Sequence, residues 1–318
     1  LYRVKVTANR GNCVDLARFG NDTGASRGIV AWTSRKEPAM PALAPHDPGP
    51  AFRALHRPGD PFILANAWDR GSARMLAALG AQALATSSAA HAFTLGRPDG
   101  GTVSRDEALA HAADLVSATP LPVSGDFENG FGAAPETCAE TVRLAAEAGL
   151  AGISIEDTDL PGAGAYDRAF AVDRIRAAAA AARALPRDFV LVARADGVMT
   201  GAYGFEEALA RVTAFAAAGA DCVYVPFPPA PGDLARIAEA TGKPVNALAA
   251  GPFARLTRAE FARLGVARIS LGSALARVTH RAIRDAAHAM FGEGSFLPLT
   301  EGMPGAEVDA CLARFADG

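Results

Sequence analysis

No apolar run in the chain approaches the roughly 18 to 20 residues needed to cross a bilayer. Its first residues also lack the charged, apolar and small-residue order of a secretory signal. Cysteine is scarce: Cys13, Cys138, Cys222 and Cys311 form no CxxC and no short Cys/His ligand spacing. Zinc therefore has no sequence support, and a disulfide framework would be odd in a chain this long. Reduced thiols in a cytoplasmic protein are the expectation, with Cys138 and Cys222 as small core residues. Charge of one sign is missing too. The formal net charge is −3 and the basic residues are scattered, so nothing favours nucleic acid or an anionic membrane as a partner.

What is present suits a soluble globular protein with a large core: 50% of residues are hydrophobic and 20% charged. The 318 residues leave the domain count open, because α/β barrels of about 250 residues are single domains. Residues 1–50 stand apart. They are aperiodic and end in a proline-rich stretch (Pro38, Pro41, Pro45, Pro48, Pro50) with little apolar surface to offset ordering entropy. They read as a flexible extension, or as an artefact of start-site choice upstream of Met40. Residues 51–292 read as the catalytic domain and 293–318 as a C-terminal tail.

From Phe62 onward, short β-like runs alternate with alanine-rich helical stretches. The runs are FILANA (62–67), QALATS (82–87), LPVSGD (121–126), AGISIE (151–156), FVLVAR (189–194), DCVYVP (221–226), PVNALA (244–249) and ARISLG (267–272). Ser104 and Glu107 make a capping-box pattern, and Pro135 suits a first helical turn. Gly80, Gly149, Gly219 and Gly265 fall where helices end before strands. Eight alternations predict an α/β protein with a parallel sheet, and eight strands close a (β/α)8 barrel. A doubly wound open sheet is the alternative.

Reacting groups in such barrels sit at the C-terminal ends of strands. The successive ends offer Asn66, Trp68 and Asp69; Thr86, Ser87 and Ser88; Asp126 and Glu128; Glu156 and Asp157; Arg194 and Asp196; then Asn246 and Ser273. Several carboxylates converging on one mouth repel one another unless a cation lies among them. Oxygen donors without Cys or His suit Mg2+, with Mn2+ the alternative. Arg194 adds a planar fork for a substrate carboxylate. The competing explanation is that these acids cap helices or pair with basic side chains, and Asp157 is the weakest member.

Taken in order, Asn66, GRPDGG (96–101), SGDFENGFG (124–132), GISIED (152–157) and ARADG (193–197) resemble the isocitrate lyase / phosphoenolpyruvate mutase superfamily across nearly all of 60–290. The resemblance implies a (β/α)8 barrel, usually with its last helix exchanged between subunits of a dimer or tetramer. It also implies Mg2+ and chemistry next to an α-oxo acid. Carried over by position, Ser87 and Ser88 match the segment that holds the substrate carboxylate. Asp99 matches the loop aspartate near metal and substrate, Asp126 the chief metal-binding aspartate, Glu156 the metal-shell glutamate, Arg194 the substrate arginine, and Asn246 the strand-seven asparagine of the lyases, expected to bind substrate. Glu128 replaces the second acid of the usual Asp-x-Asp pair.

The sequence also departs from the family. The Lys-Lys-Cys-Gly-His of the isocitrate and methylisocitrate lyases is replaced by DLPGAGAYD (159–167), and the usual strand-six glutamate is Pro226. The asparagine that mutases carry in the strand-four loop is missing as well. Tyr166 is the candidate proton donor in place of the cysteine, against the commoner fate of packing. His91 is expected to be an exposed loop residue or a substrate contact, and His280 and His288 to be surface or interface residues. The leading expectation is a Mg2+-dependent C–C lyase acting on a small α-oxo or α-hydroxy carboxylate through an enolate. The alternatives are mutase or hydrolase chemistry on a C–P bond, and a non-catalytic carboxylate-binding barrel.

Overall fold

The computed structural model describes residues 47–162 and 164–315, so most of the expected extension lies outside the described residues. Eight strands form a closed parallel barrel in chain order: β1 (Phe62–Asn66), β2 (Ala83–Ala85), β3 (Val123–Asp126), β4 (Gly152–Glu156), β5 (Val190–Arg194), β6 (Cys222–Tyr224), β7 (Val245–Leu248) and β8 (Arg268–Ser270). Closure comes from β8 pairing with β1, where Arg268 aligns with Phe62. The barrel expected from the eight alternations is the one found. Strands such as β5, buried along nearly their whole length, explain why the runs read as continuous apolar segments without period-two alternation.

Helices separate the strands: α1 (Gly49–Leu55), α2 (Arg70–Ala78), α3 (Ser88–Thr94), α4 (Arg105–Val116), α5 (Pro135–Glu147), α6 (Arg168–Ala184), α7 (Gly197–Thr200), α8 (Phe205–Ala217), α9 (Asp233–Thr241) and α10 (Arg258–Arg263), with α11 (Ala274–His288) and α12 (Gly305–Ala313) after the barrel. The Ser104–Glu107 capping box opens α4, and Pro135 stands in the first turn of α5. Gly149 ends the α5 segment at φ +89, and a Cβ there would come within 2.9 Å of Val116. Alanines 171, 178, 179 and 182 of α6 are buried, so small side chains let this long helix lie close to its neighbours.

The N-terminal end of the barrel is plugged by α1. Phe52 is fully buried and packs edge-on to Phe62 at 6.0 Å. Arg53 pairs with Asp188 at 2.6 Å and Asp221 at 2.8 Å, while Asp47 accepts from the Asp188 N–H at 3.3 Å. Packing therefore begins ahead of Phe62, and residues 47–50, placed in the extension on composition alone, touch the barrel body. At the other end of the chain, α11 buries only Ala276 and leaves Val278 and Ile283 exposed. The tail carries α12, and Arg314 beyond it donates to the Ala78 carbonyl at the end of α2, at 2.6 Å.

Candidate active site

Asp126 ends β3 and is held from two sides. Ser88 donates to its Oδ2 through the backbone N–H at 3.0 Å and the hydroxyl at 3.1 Å. Its Oδ1 accepts from Arg194 Nη1 at 2.6 Å and from the Ser154 hydroxyl at 3.3 Å. Arg194 ends the apolar β5, so its stem leaves the core and its guanidinium meets the mouth. There it also binds Asp196 through Nη2 at 2.7 Å and lies 3.2 Å from Glu156.

Three carboxylates thus surround one guanidinium. Burial, reinforced by the charges of Asp196 and Asp126, holds the Glu156 carboxyl well above the usual range. Burial does the same to Asp196, with Asp157 and Asp126 adding to it. Burial by itself would lower the Arg194 guanidinium, but the three acids together hold it well above its ordinary value.

The other expected residues divide. Ser87 caps α3 by accepting from the Ala90 N–H at 3.3 Å, which sets Ser88 against Asp126. Asp99 lies in the β2 loop, its carboxyl raised by burial and then by Asp126. Glu128 takes a left-handed backbone, φ +45, and reaches back to accept from the Gly101 N–H at 3.1 Å. Burial, with Asp126 and Asp99 adding, pushes the Glu128 carboxyl up to about 7. The strained loop is held by the buried Arg174, which donates to the carbonyls of Ala133, Glu156 and Asn129.

Tyr166 stands apart. Its hydroxyl accepts from Asn129 at 3.1 Å, and its ring lies 4.2 Å from the Arg174 guanidinium. It packs against that arginine and is not among the residues that line the mouth cavity. Asp157 is structural: it accepts from the Asp196 N–H at 2.9 Å and from Arg211 at 3.0 Å. His91 is neither exposed nor in a loop; it lies buried in α3, stacked on His111 with ring centroids 3.8 Å apart.

Among the described residues, no group of three or more His, Cys, Asp or Glu side chains is arranged to hold a metal ion. The expected trio splits, with Asp126 and Glu156 sharing Arg194 while Glu128 faces Gly101. The donor chemistry beside Asp126 still fits a hard cation. Asp99, Asp126 and Glu128 offer only oxygens there, and the charge of Asp126 pushes both neighbours up.

A cavity of about 240 Å3 opens at this mouth, lined by Ser87, Ser88, Asp126 and Arg194 above and by Asn246 and Arg268 below. At about 30 Å3 per water it holds roughly eight waters, the scale of a small acid. Asn246 donates to the Ser270 hydroxyl at 2.9 Å and accepts from Arg268 Nε at 3.0 Å. Arg268 and the role of Asp196 escape a reading of strand ends. Arg268 begins its strand, and its available signal is that it shares a face with Ser270, two residues on.

Three comparisons place this geometry. The family model described as phosphoenolpyruvate phosphomutase matches residues 52–291. An uncharacterized protein of Mycobacterium tuberculosis is 35% identical over 268 residues, covering 83% of this chain and 97% of that one. The 2-methylisocitrate lyase of Salmonella typhimurium is 35% identical over 187 residues, 56% of this chain and 62% of the lyase. A crystal structure of a Burkholderia cenocepacia protein described as a lyase/mutase superposes with a TM-score of 0.80 at 46% identity, covering 84% of this chain and 95% of that one.

Proposed function

The chain belongs to the phosphoenolpyruvate phosphomutase family, and we propose that it is a divalent-metal-dependent enzyme that cleaves a C–C bond in a small α-oxo or α-hydroxy carboxylate through an enolate. The observation that carries this is the Ser88–Asp126–Arg194 cluster opening onto a cavity sized for a small acid. Mg2+, or Mn2+, would be held by Asp126, with Asp99 and Glu128 reached through water and Glu156 on the far side of Arg194. Such an ion, when bound, supplies Lewis-acid stabilisation of the enolate oxygen. Arg194 and the hydroxyls of Ser87 and Ser88 would bind and orient the carboxylate, and the buried acids around Arg194 would fix the plane of its fork.

A panel of substrates that release pyruvate on C–C cleavage, assayed with and without Mg2+, tests this. Metal-dependent pyruvate release supports it. Turnover of phosphonopyruvate alone would move the protein to C–P chemistry. One observation favours a second reading, a carboxylate-binding barrel without catalysis: the strand-four loop has neither Cys nor His, and Tyr166 is not among the residues that line the mouth cavity. Binding of oxalate, an enolate mimic, with no turnover of any substrate would establish that reading.

We also propose that the protein self-associates through α11. Its apolar residues Val278 and Ile283 are exposed, and Ile63 on the outer face of β1 is 47% exposed. A helix from a second copy would cover such a surface. A monomer by light scattering at micromolar concentration would refute this.

A further inference from the structure

Two buried donors lining the cavity have no hydrogen-bond partner among the described residues: Nη1 of Arg268 and the hydroxyl of Ser124. Arg268 is 5% exposed and Ser124 fully buried. Burying a guanidinium is costly unless it is paired. Arg194 has three carboxylates around it, whereas among the described residues Arg268 has only the Asn246 side-chain oxygen on Nε. Burial lowers the Arg268 pKa, and the acids of the mouth do not offset that. Packing gives no reason to keep an arginine here, since the neighbouring β1 positions, Phe62 and Leu64, are apolar.

We propose that Arg268 and Ser124, with Asn246 and Ser270 orienting the arginine, form an anion subsite on the cavity floor that binds a second carboxylate of the substrate. The preferred substrate is then a dicarboxylate. One end is held at Ser88 and Arg194, and the other reaches down the barrel axis to Arg268. This rests on the mouth being the site of the α-oxo carboxylate, as proposed above. It adds the substrate class. Asn246, expected to touch substrate, acts on this account as the group that fixes Arg268.

The test is calorimetric titration in Mg2+ with oxalate, which reaches only the mouth, and with acids matched in chain length. Oxaloacetate is set against 2-oxobutyrate, and 2-oxoglutarate against 2-oxovalerate. Wild type should bind one dicarboxylate at least tenfold more tightly than its monocarboxylate partner. Arg268→Met should erase that preference while leaving oxalate affinity within about twofold, and Ser124→Ala should reduce the preference without abolishing it. The unliganded Arg268→Met protein should melt no lower than wild type, because an unpaired buried charge has been removed; a structural arginine would give the opposite sign. Arg268→Lys, which keeps the charge, serves where the methionine variant does not fold, and it should lose most of the preference.

Oxalate binding with no dicarboxylate preference in wild type, or with a preference that survives in the variants, overturns the floor subsite and leaves the mouth assignment standing. A preference lost in Arg268→Met while oxalate fails to bind wild type overturns the mouth assignment and keeps the floor.

Discussion

Each end of the barrel carries an arginine ringed by acids, and the two rings behave oppositely. At the N-terminal end, Arg53 faces Asp188 and Asp221, and hydrogen bonding to Arg53 draws the Asp188 carboxyl below its usual range. At the C-terminal mouth, Arg194 faces Asp126, Glu156 and Asp196, and burial pushes Glu156 and Asp196 upward. The lower ring is partly solvated, and its two acids share two cations, since Arg183 also pairs with Asp221 at 2.6 Å. The upper ring is more deeply buried and holds three acids around one cation, with Asp99 and Glu128 close behind. One is a relaxed ion pair that fastens α1 to the barrel. The other is an excess of negative charge that a metal ion or a rearranged Arg194 would relieve, which is where ligand chemistry is expected.

The largest expected effect breaks the upper ring. Asp126→Asn keeps the shape and the Ser88 contact but removes the charge on which metal binding is proposed to depend. Metal-dependent turnover should fall by at least about 100-fold, the scale of losing one well-placed ligand or electrostatic group. Steady-state assays across a Mg2+ series check this; unchanged turnover would remove Asp126 from the machinery. Next is Arg194→Lys, which keeps charge but loses the fork. Oxalate affinity should weaken by about 1.5 to 3 kcal/mol, the scale of a charged hydrogen bond, with little change in stability. If Arg194 only balances the three acids around it, lysine will serve as well and the calorimetric affinity will not move.

The lower ring should answer in stability alone. Arg53→Met takes the ion-pair partner from Asp188, leaves Asp221 to Arg183 and frees the Phe189 carbonyl. The partners are partly exposed, so a loss of about 1 to 2 kcal/mol is expected, a few degrees of melting temperature, with turnover unchanged. A change in turnover as large as that of Asp126→Asn would erase the contrast between the two ends.

Acid should strike both ends through buried histidines. His56, against the α1 plug, donates through Nδ1 to the Phe52 carbonyl, and its buried Nε2 has no partner among the described residues. Burial, with the charge of Arg268 adding, lowers it to about 3. Burial, with the charge of the neighbouring His111 adding, lowers His91 to about 4. Folded pKa values lie below the unfolded value of about 6.5, so the unfolded chain binds more protons across this window. The stability these residues contribute is complete above pH 6.5 and is lost as pH falls toward 4 and 3. Each can contribute up to about 1.4 kcal/mol per pH unit. His56→Asn, which keeps an amide donor toward Phe52, should flatten the slope of denaturation midpoint against pH below 6.5; an unchanged slope would place the acid sensitivity elsewhere.

How far the two ends could be read from sequence follows from their chemistry. The barrel was legible because buried parallel strands are continuous apolar runs, and glycines mark where helices end. The upper acids were legible because they interrupt those runs at the C-terminal side, as Asp126, Glu156 and Arg194 do. Pairing was not legible. Nothing in ARADG says that Arg194 folds back onto Asp196 two residues later, and nothing in AGAYD says that Tyr166 turns toward Arg174. Each depends on a partner distant in space or on a backbone reversal. Arg268 was hidden for another reason: it opens a strand, where arginines are commonly solvated. The α1 plug was missed because a seven-residue helix, about two turns, after a proline-rich stretch gives too short a period to register.

The smallest effect tests where the lower end begins. Residues before 46 show no regular apolar period in the sequence, and the first described contact with the barrel comes from Asp47, which accepts from Asp188 N–H and lies 3.3 Å from Arg187. Removing residues 1–45 should therefore leave melting temperature and turnover unchanged. Removing 1–50 deletes Asp47 together with Gly49, where a Cβ would meet the Asp188 carbonyl oxygen at 2.1 Å. That close approach means the start of α1 is fitted against β5 and not merely tethered near it. The longer truncation should lower the melting temperature by a few degrees, consistent with loss of about 1 kcal/mol of hydrogen bonding and ion pairing at a half-buried site. Turnover at temperatures well below melting should stay the same, because the plug and the mouth lie at opposite ends of the barrel. Parallel melting and assay of the two truncations decides the matter. Equal melting for both would show that α1 contributes nothing at its first turn, and a loss already at 1–45 would show that the barrel leans on residues ahead of Asp47.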